Sequence, residues 1–153
     1  MKHLLFFAFL AAISIGVSTD AAAQTPGEFV KQVVLDMNRE DPSLESRVLE
    51  PKLLAAYKRA LEINEKKSCV ELPSLGGYLN QQDGRELQSV KVIAAGPKSA
   101  RVRVGFGPLN SSNDSIFFLQ RAKDAWQIVD LRGVKENDGF RAEYLNWRCP
   151  TVH

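Results

Sequence analysis

Of the side chains in this sequence that could do chemistry, one carboxylate and one row of cations stand in patterns with a physical consequence. Asp130 follows Trp126 and Ile128 at even spacing in the run AWQIVDLR. Residues two apart on a strand share a face, so the spacing predicts Asp130 inward, on the side of the Trp126 ring. A carboxylate against an aromatic ring and away from water has its pKa raised and suits general-base work. The competing expectation is that Asp130 finishes a strand end or pairs with Arg132 or Arg121 in solvent. If it is the base, exchange for asparagine removes turnover; in a binding protein the same exchange leaves stability nearly intact. Lys91, Arg101 and Arg103 form the second pattern: each alternates with apolar neighbours, so all three project from one side of a sheet, with Gln120 and Gln127. Such a basic face can dock an acidic protein and speed the encounter. It can equally be a solvated face whose charges protect sheet edges.

The common catalytic devices are missing. The sequence has two histidines, His3 near its start and His153 at its end, so neither a Ser-His-Asp nor a Cys-His device has a base. Leu72-Pro73-Ser74-Leu75-Gly76 lacks the first glycine and the strand-turn-helix context of a nucleophile elbow. Gly105-Phe106-Gly107 lacks the third glycine of a phosphate loop and sits at a strand end, where a bulge or terminus explains it. No EF-hand loop and no paired His/Cys spacing for a metal occurs. The expectation is a protein with neither metal nor cofactor.

Met1-Lys2-His3, the apolar stretch Leu4–Val17 and Ala21-Ala22-Ala23 ahead of Gln24 match a secretory signal peptide. The apolar run is short for a bilayer span. The expected division is a leader over 1–23, cleaved after Ala23, and one domain over 24–153. That product is expected in the periplasm or outside the cell, with no stable membrane insertion after cleavage. Export places the two cysteines, Cys69 and Cys149, under oxidising conditions, so a disulfide is expected. With 20 basic and 18 acidic side chains the net charge is +2, which gives no support to a nucleic-acid partner. A 44% hydrophobic chain with 25% charged residues is not disordered, collagen-like or a coiled coil.

The elements that must position these residues follow from periodicity. Thr25-Pro26-Gly27-Glu28 fits a capping box, and Phe29, Val30, Val33, Val34 and Met37 make a helical stripe. A short helical turn is expected within Ser43–Glu50. A longer helix follows over Pro51–Lys66, with Leu53, Leu54, Tyr57, Ala60 and Leu61 as its stripe. Ser68–Gly84, with Pro73, Gly76, Gly77 and Gly84, reads as an irregular link. From Leu87 the period changes to two, predicting four strands: one from Leu87, one over Ala100–Phe106, then Ser115–Arg121 and Ala125–Arg132. Val90, Val92, Val102, Val104, Phe106, Trp126 and Ile128 are the expected inner face. Phe140, Tyr144 and Trp147 crowd the tail near Cys149 as a satellite core or a partner patch; its backbone fits helix or strand. Asn110-Ser111-Ser112 and Asn113-Asp114-Ser115 read as an exposed loop. Helices followed by a strand meander predict an α+β fold, with helices on one face of a curved antiparallel sheet.

The helix segment PKLLAAYKRALE, the strand RVRVGFG and the late hairpin SIFFLQRAKDAWQIVDLRG resemble the nuclear transport factor two-like (ketosteroid isomerase-like, SnoaL-like) superfamily, in particular small secreted bacterial members. The resemblance spans most of residues 25–132. It implies a cone of helices and sheet with a pocket. Some members are enzymes that use an acid there with hydrogen-bonding partners, a role for which Asp130 and the phenols Tyr57 and Tyr78 offer themselves. Many others are non-catalytic binding or dimerisation modules, so fold does not decide function. The leading expectation is a non-catalytic accessory protein. It would hold a small apolar ligand in the cone, at Tyr57 and Trp126, or a protein on the sheet face of Lys91, Arg101 and Arg103, as a periplasmic inhibitor or immunity protein does. A homodimer is compatible with this. The alternative is a small cofactor-free isomerase- or cyclase-like enzyme using Asp130.

Overall fold

Thr25 opens the first helix as its sequence requires: its hydroxyl accepts from the Glu28 N–H while the Glu28 carboxylate accepts from the Thr25 N–H. The computed structural model of the chain describes residues 24–39, 41–67, 69, 75, 87–106, 114–134 and 139–149. Residues 1–23, where a leader is expected, and Leu72–Ser74, Tyr78, Gly107, Asn110–Asn113 and His153 lie outside the described residues. Helix α1 (Pro26–Met37) buries Phe29, Val30, Val33, Val34 and Met37, the stripe its spacing predicts. A short α2 (Leu44–Val48) leads into α3 (Pro51–Lys67). Glu50 starts α3: its carbonyl accepts from the Leu54 N–H, and its carboxylate from the Lys52 and Leu53 N–H groups. The tail resolves as a helix, α4 (Phe140–Asn146).

Strands β1 (Ser89–Ala95), β2 (Ser99–Gly105), β3 (Ser115–Ala122) and β4 (Ala125–Gly133) form an antiparallel sheet in chain order. The molecule is therefore α+β, with helices against the sheet. A disulfide joins Cys69 to Cys149 across 80 positions, with Cα atoms 5.6 Å apart, tying the end of α3 to the end of α4. Val102, Val104, Phe117, Leu119, Ile128 and Leu131 make the inner face. They share one buried cluster with Val30, Val33, Val34, Leu53, Phe140 and Tyr144. Side chains thus occupy the space between sheet and helices.

Four details go beyond the periodic reading: three depart from it, and one, the tail aromatics, takes the core alternative it offered. Val92 is 42% exposed, because β1 is an edge and the residue of α1 above it is Gly27, which has no side chain to cover it. On α3, Ala56 is buried with Leu53 and Ala60, whereas Leu61 is exposed. The Phe140, Tyr144 and Tyr57 rings pack together, with centroids 4.5–6.3 Å apart, as part of the core rather than a surface patch. The fourth concerns strand parity. Phe118 pairs with Asp130 and Leu119 with Ile128, so Val129 is an extra residue in β4. Ile93 is likewise extra in β1, between the Val92–Val102 and Ala94–Arg101 pairs. A bulge of this kind inverts the alternation beyond it.

Candidate functional site

The Val129 bulge decides where Asp130 goes. Trp126 and Ile128 precede it and face the core; beyond it Leu131 takes the inner position opposite Phe117, and Asp130 stands opposite Phe118 on the outer face. The expected placement of Asp130 beside Trp126 is thus overturned, because even spacing holds only in a regular strand. Asp130 is nonetheless buried. Its Oδ1 accepts from the backbone N–H groups of Leu131 at 2.9 Å and Arg141 at 2.8 Å. Its Oδ2 accepts from Arg132 Nε at 2.6 Å. The pairing with Arg132 is the alternative that the sequence allowed, but it forms at a buried carboxylate rather than in solvent.

Arg141 extends this cluster. Its Nη1 donates to Glu50 Oε1 at 2.6 Å and to the Val129 carbonyl at 3.1 Å. Burial pushes the Glu50 carboxyl up, but the Arg141 hydrogen bond and charge, with the Lys52 and Leu53 amides, outweigh it and hold Glu50 below the usual carboxylate range. Gly139 is required beside the cluster: a Cβ there would lie 2.5 Å from Asp130 Oδ1 and 2.6 Å from Arg132 Cγ. A cleft of about 340 Å³ opens over these groups, lined by Glu50, Lys52, Phe118, Gln120, Val129, Asp130, Arg132 and Arg141.

The row of cations does share the outer face. Lys91 lies directly across from Arg103, and Arg101 lies across from Phe118. Their environments differ. Arg103 is taken by the buried Asp114, at 2.6 Å from Nη2 and 2.7 Å from Nε, so its charge is spent within the protein. Lys91 and Arg101 are exposed. Between the charges Ile116, Phe118 and Val129 are half-buried, and the Arg132 guanidinium lies 5.0 Å from the Phe118 ring centroid. A second cleft, of about 490 Å³, adjoins the first at Phe118 and Val129 and carries Arg101 on its wall.

Tyr57 and Trp126 do not join this surface, nor each other. Tyr57 packs on Phe140 and Tyr144, and burial together with a bonded Glu45 pushes its hydroxyl up to about 12. Tyr144 is pushed well above its ordinary range, by burial first and then by Tyr57. Trp126 sits at the other end of β4, its Nε1–H donating to the Gln24 carbonyl at 2.9 Å and its ring 5.7 Å from the Arg121 guanidinium. The expected ligand contacts, Tyr57 and Trp126, therefore serve packing and chain tethering. Glu50 and Arg141 are missing from the sequence reading, and Asp114 and Ser115, read there as exposed loop, are buried, because Asp114 pairs with Arg103 and Ser115 opens β3. Glu50 had a local signal, since it precedes Pro51 at the start of a helix; Arg141 and Asp114 had none. Among the described residues no group of three or more His, Cys, Asp or Glu side chains could hold a metal. No described helix is long and apolar enough to cross a membrane. Compared with family models, curated proteins and solved structures, the chain matches none.

Proposed function

We propose that this is an exported, non-catalytic binding protein of nuclear transport factor two-like type. Its working surface is the outer face of the sheet and its partner an acidic protein, in the manner of an inhibitor or immunity protein. One observation carries the reading. The sheet face opposite the helices holds joined clefts around half-buried Phe118 and Val129, with the exposed cations Lys91 and Arg101 on the same face. A half-apolar, cationic surface of this kind suits an apolar contact framed by carboxylates. The leader pattern and the Cys69–Cys149 disulfide support export. The filled inner face argues against a ligand held in a cone. The Asp130 oxygens are committed to Leu131, Arg141 and Arg132, which favours a structural carboxylate over a general base.

The test is a photo-crosslinking amino acid placed at Gln120 in the exporting cell, with a control at exposed Leu35 on α1. The expected result is one acidic protein joined from Gln120 and not from Leu35. With that protein purified, Lys91→Glu plus Arg101→Glu should weaken binding about ten-fold or more, mostly by slowing association. Unchanged affinity in the doubly reversed variant would overturn the proposal.

A further inference from the structure

Among the described residues β1 pairs with β2 alone, so one long edge of Ser89–Ala95 carries backbone groups with no strand beside them. Such an edge is a template for an added strand. Two features mark this one for use. Val92 and Ile93 are each 42% exposed, and a cleft of about 400 Å³ runs between the first turns of α1 and the start of β1, with Gly27, Lys31 and Val90 in its wall. The charges nearby are mostly positive: Lys31, Lys91 and Lys98 are all exposed, against one exposed carboxylate, Glu28, whose oxygen accepts from the Thr25 N–H and hydroxyl. Charge selects the occupant. Two copies joined β1 to β1 would bring the same lysines together, and like charges across a strand pair are destabilising. An extended segment alternating acidic and apolar residues meets Lys91 with carboxylates on the outer face and Val92 with apolar side chains on the other.

The geometry points to the β1 edge as a strand-addition site for an extended acidic segment of a protein partner. The inference rests on the outer-face reading above and names how the partner's backbone is held. It is tested with a synthetic peptide as long as β1 that alternates glutamate and valine. Companion peptides carry lysine for glutamate, or N-methyl groups on either alternate set of amides. The glutamate peptide should bind and slow amide hydrogen exchange along Ser89–Ala95. One N-methylated form, but not the other, should bind about ten-fold more weakly or worse, since only one set of amides faces the edge. The lysine peptide should not bind, and Lys91→Glu should weaken the glutamate peptide. Equal binding of both N-methylated forms with unchanged β1 exchange would overturn strand addition. So would no binding of the glutamate peptide, or β1 exchange that already slows with protein concentration, which would give the edge to a second copy. The outer-face reading fails separately, when Gln120 crosslinks no acidic protein. A partner crosslinked from Gln120 whose complex leaves β1 exchange unchanged would refute the edge alone.

Discussion

Along the outer edge of β4 the backbone is taken up: the Glu50 N–H donates to the Ile128 carbonyl, Leu49 bridges to Ile128, and Arg141 caps the Val129 carbonyl. Along β1, at the other side of the same sheet, no described strand or side chain does this. Both strands carry a bulge, at Val129 and at Ile93. At β4 the bulge turns Asp130 outward, where it receives the first turn of α4. At β1 the bulged residue stands exposed beside Lys91. Bulges and lysines are the ordinary means by which an uncovered edge avoids indiscriminate pairing. One edge is thus closed by two separate segments, Leu49–Glu50 and Arg141, and the other has no described strand beside it and carries the exposed Lys91.

The closed edge depends on α4, which the disulfide fastens through Cys149 just beyond its end. Replacing Cys69 and Cys149 by serine should cost roughly 4 kcal/mol by the chain-entropy argument for a loop of this length, read by denaturant unfolding. A loss below about 1 kcal/mol would mean that the Phe140 and Tyr144 packing holds α4 unaided, and the closed edge would owe nothing to the disulfide. Asp130→Ala leaves the Arg141 and Leu131 amides without their acceptor and should cost about 2–3 kcal/mol, with faster exchange at Arg141. Asp130→Asn should cost about half that, because one oxygen is kept. The sequence reading expected that exchange to be nearly neutral; burial of the carboxylate reverses the expectation. A neutral Asp130→Ala would break the comparison, since the edge would then be closed by Glu50 and Arg141 alone.

Two titrations sharpen the same contrast. Glu50 is held below its ordinary value of 4.5, so its contribution is present above that value and lost as pH falls through the folded pKa. Acid unfolding of the wild type should therefore steepen below about pH 4.5, and Glu50→Gln should flatten that dependence. Tyr57 behaves in the opposite sense. Its hydroxyl rises from 10.0 to about 12 on folding, so stability is present below pH 10 and falls between there and about 12, as the unfolded chain ionises first. Tyr57→Phe should remove part of that alkaline loss; an unchanged alkaline profile would show the phenol to be solvated.

The parts of this arrangement legible in the sequence are those set by local rules. Thr25 and Glu28 announce a capping box that forms as written, and the α1 stripe is buried residue for residue. The strand alternation around Val102 and Val104 places Arg101 and Arg103 on the outer face as expected. What fails is parity carried across a bulge. Nothing in IVDL marks Val129 as the extra residue, because the bulge is stabilised from outside the strand, by Arg141 on its carbonyl and by Gly139 making room for Asp130. Arg103 illustrates the same limit: its spacing shows the face it occupies, but not that the buried Asp114 neutralises it.

The smallest expected effect on stability falls at the open edge. Lys91 is exposed, and Arg103 directly opposite it is already neutralised by Asp114, so Lys91→Val breaks no ion pair and adds a strand-favouring side chain. Its effect on unfolding free energy should stay within about 0.5 kcal/mol. Its effect on association should be much larger. With Val92 and Ile93 already exposed, the substitution creates an apolar run on an edge with no described partner, the arrangement most prone to edge-to-edge pairing. Sedimentation velocity of the two proteins at matched concentrations should show self-association in the variant alone. A matching substitution at Gln127 on β4, two positions before the capped Val129 carbonyl, should leave the sedimentation profile unchanged. If the Gln127 variant associates as readily as the Lys91 variant, any added apolar residue suffices and the two edges are equally sticky. If only the Lys91 variant associates, the difference lies in the backbone: capped along β4, accessible along β1, and guarded there by one lysine.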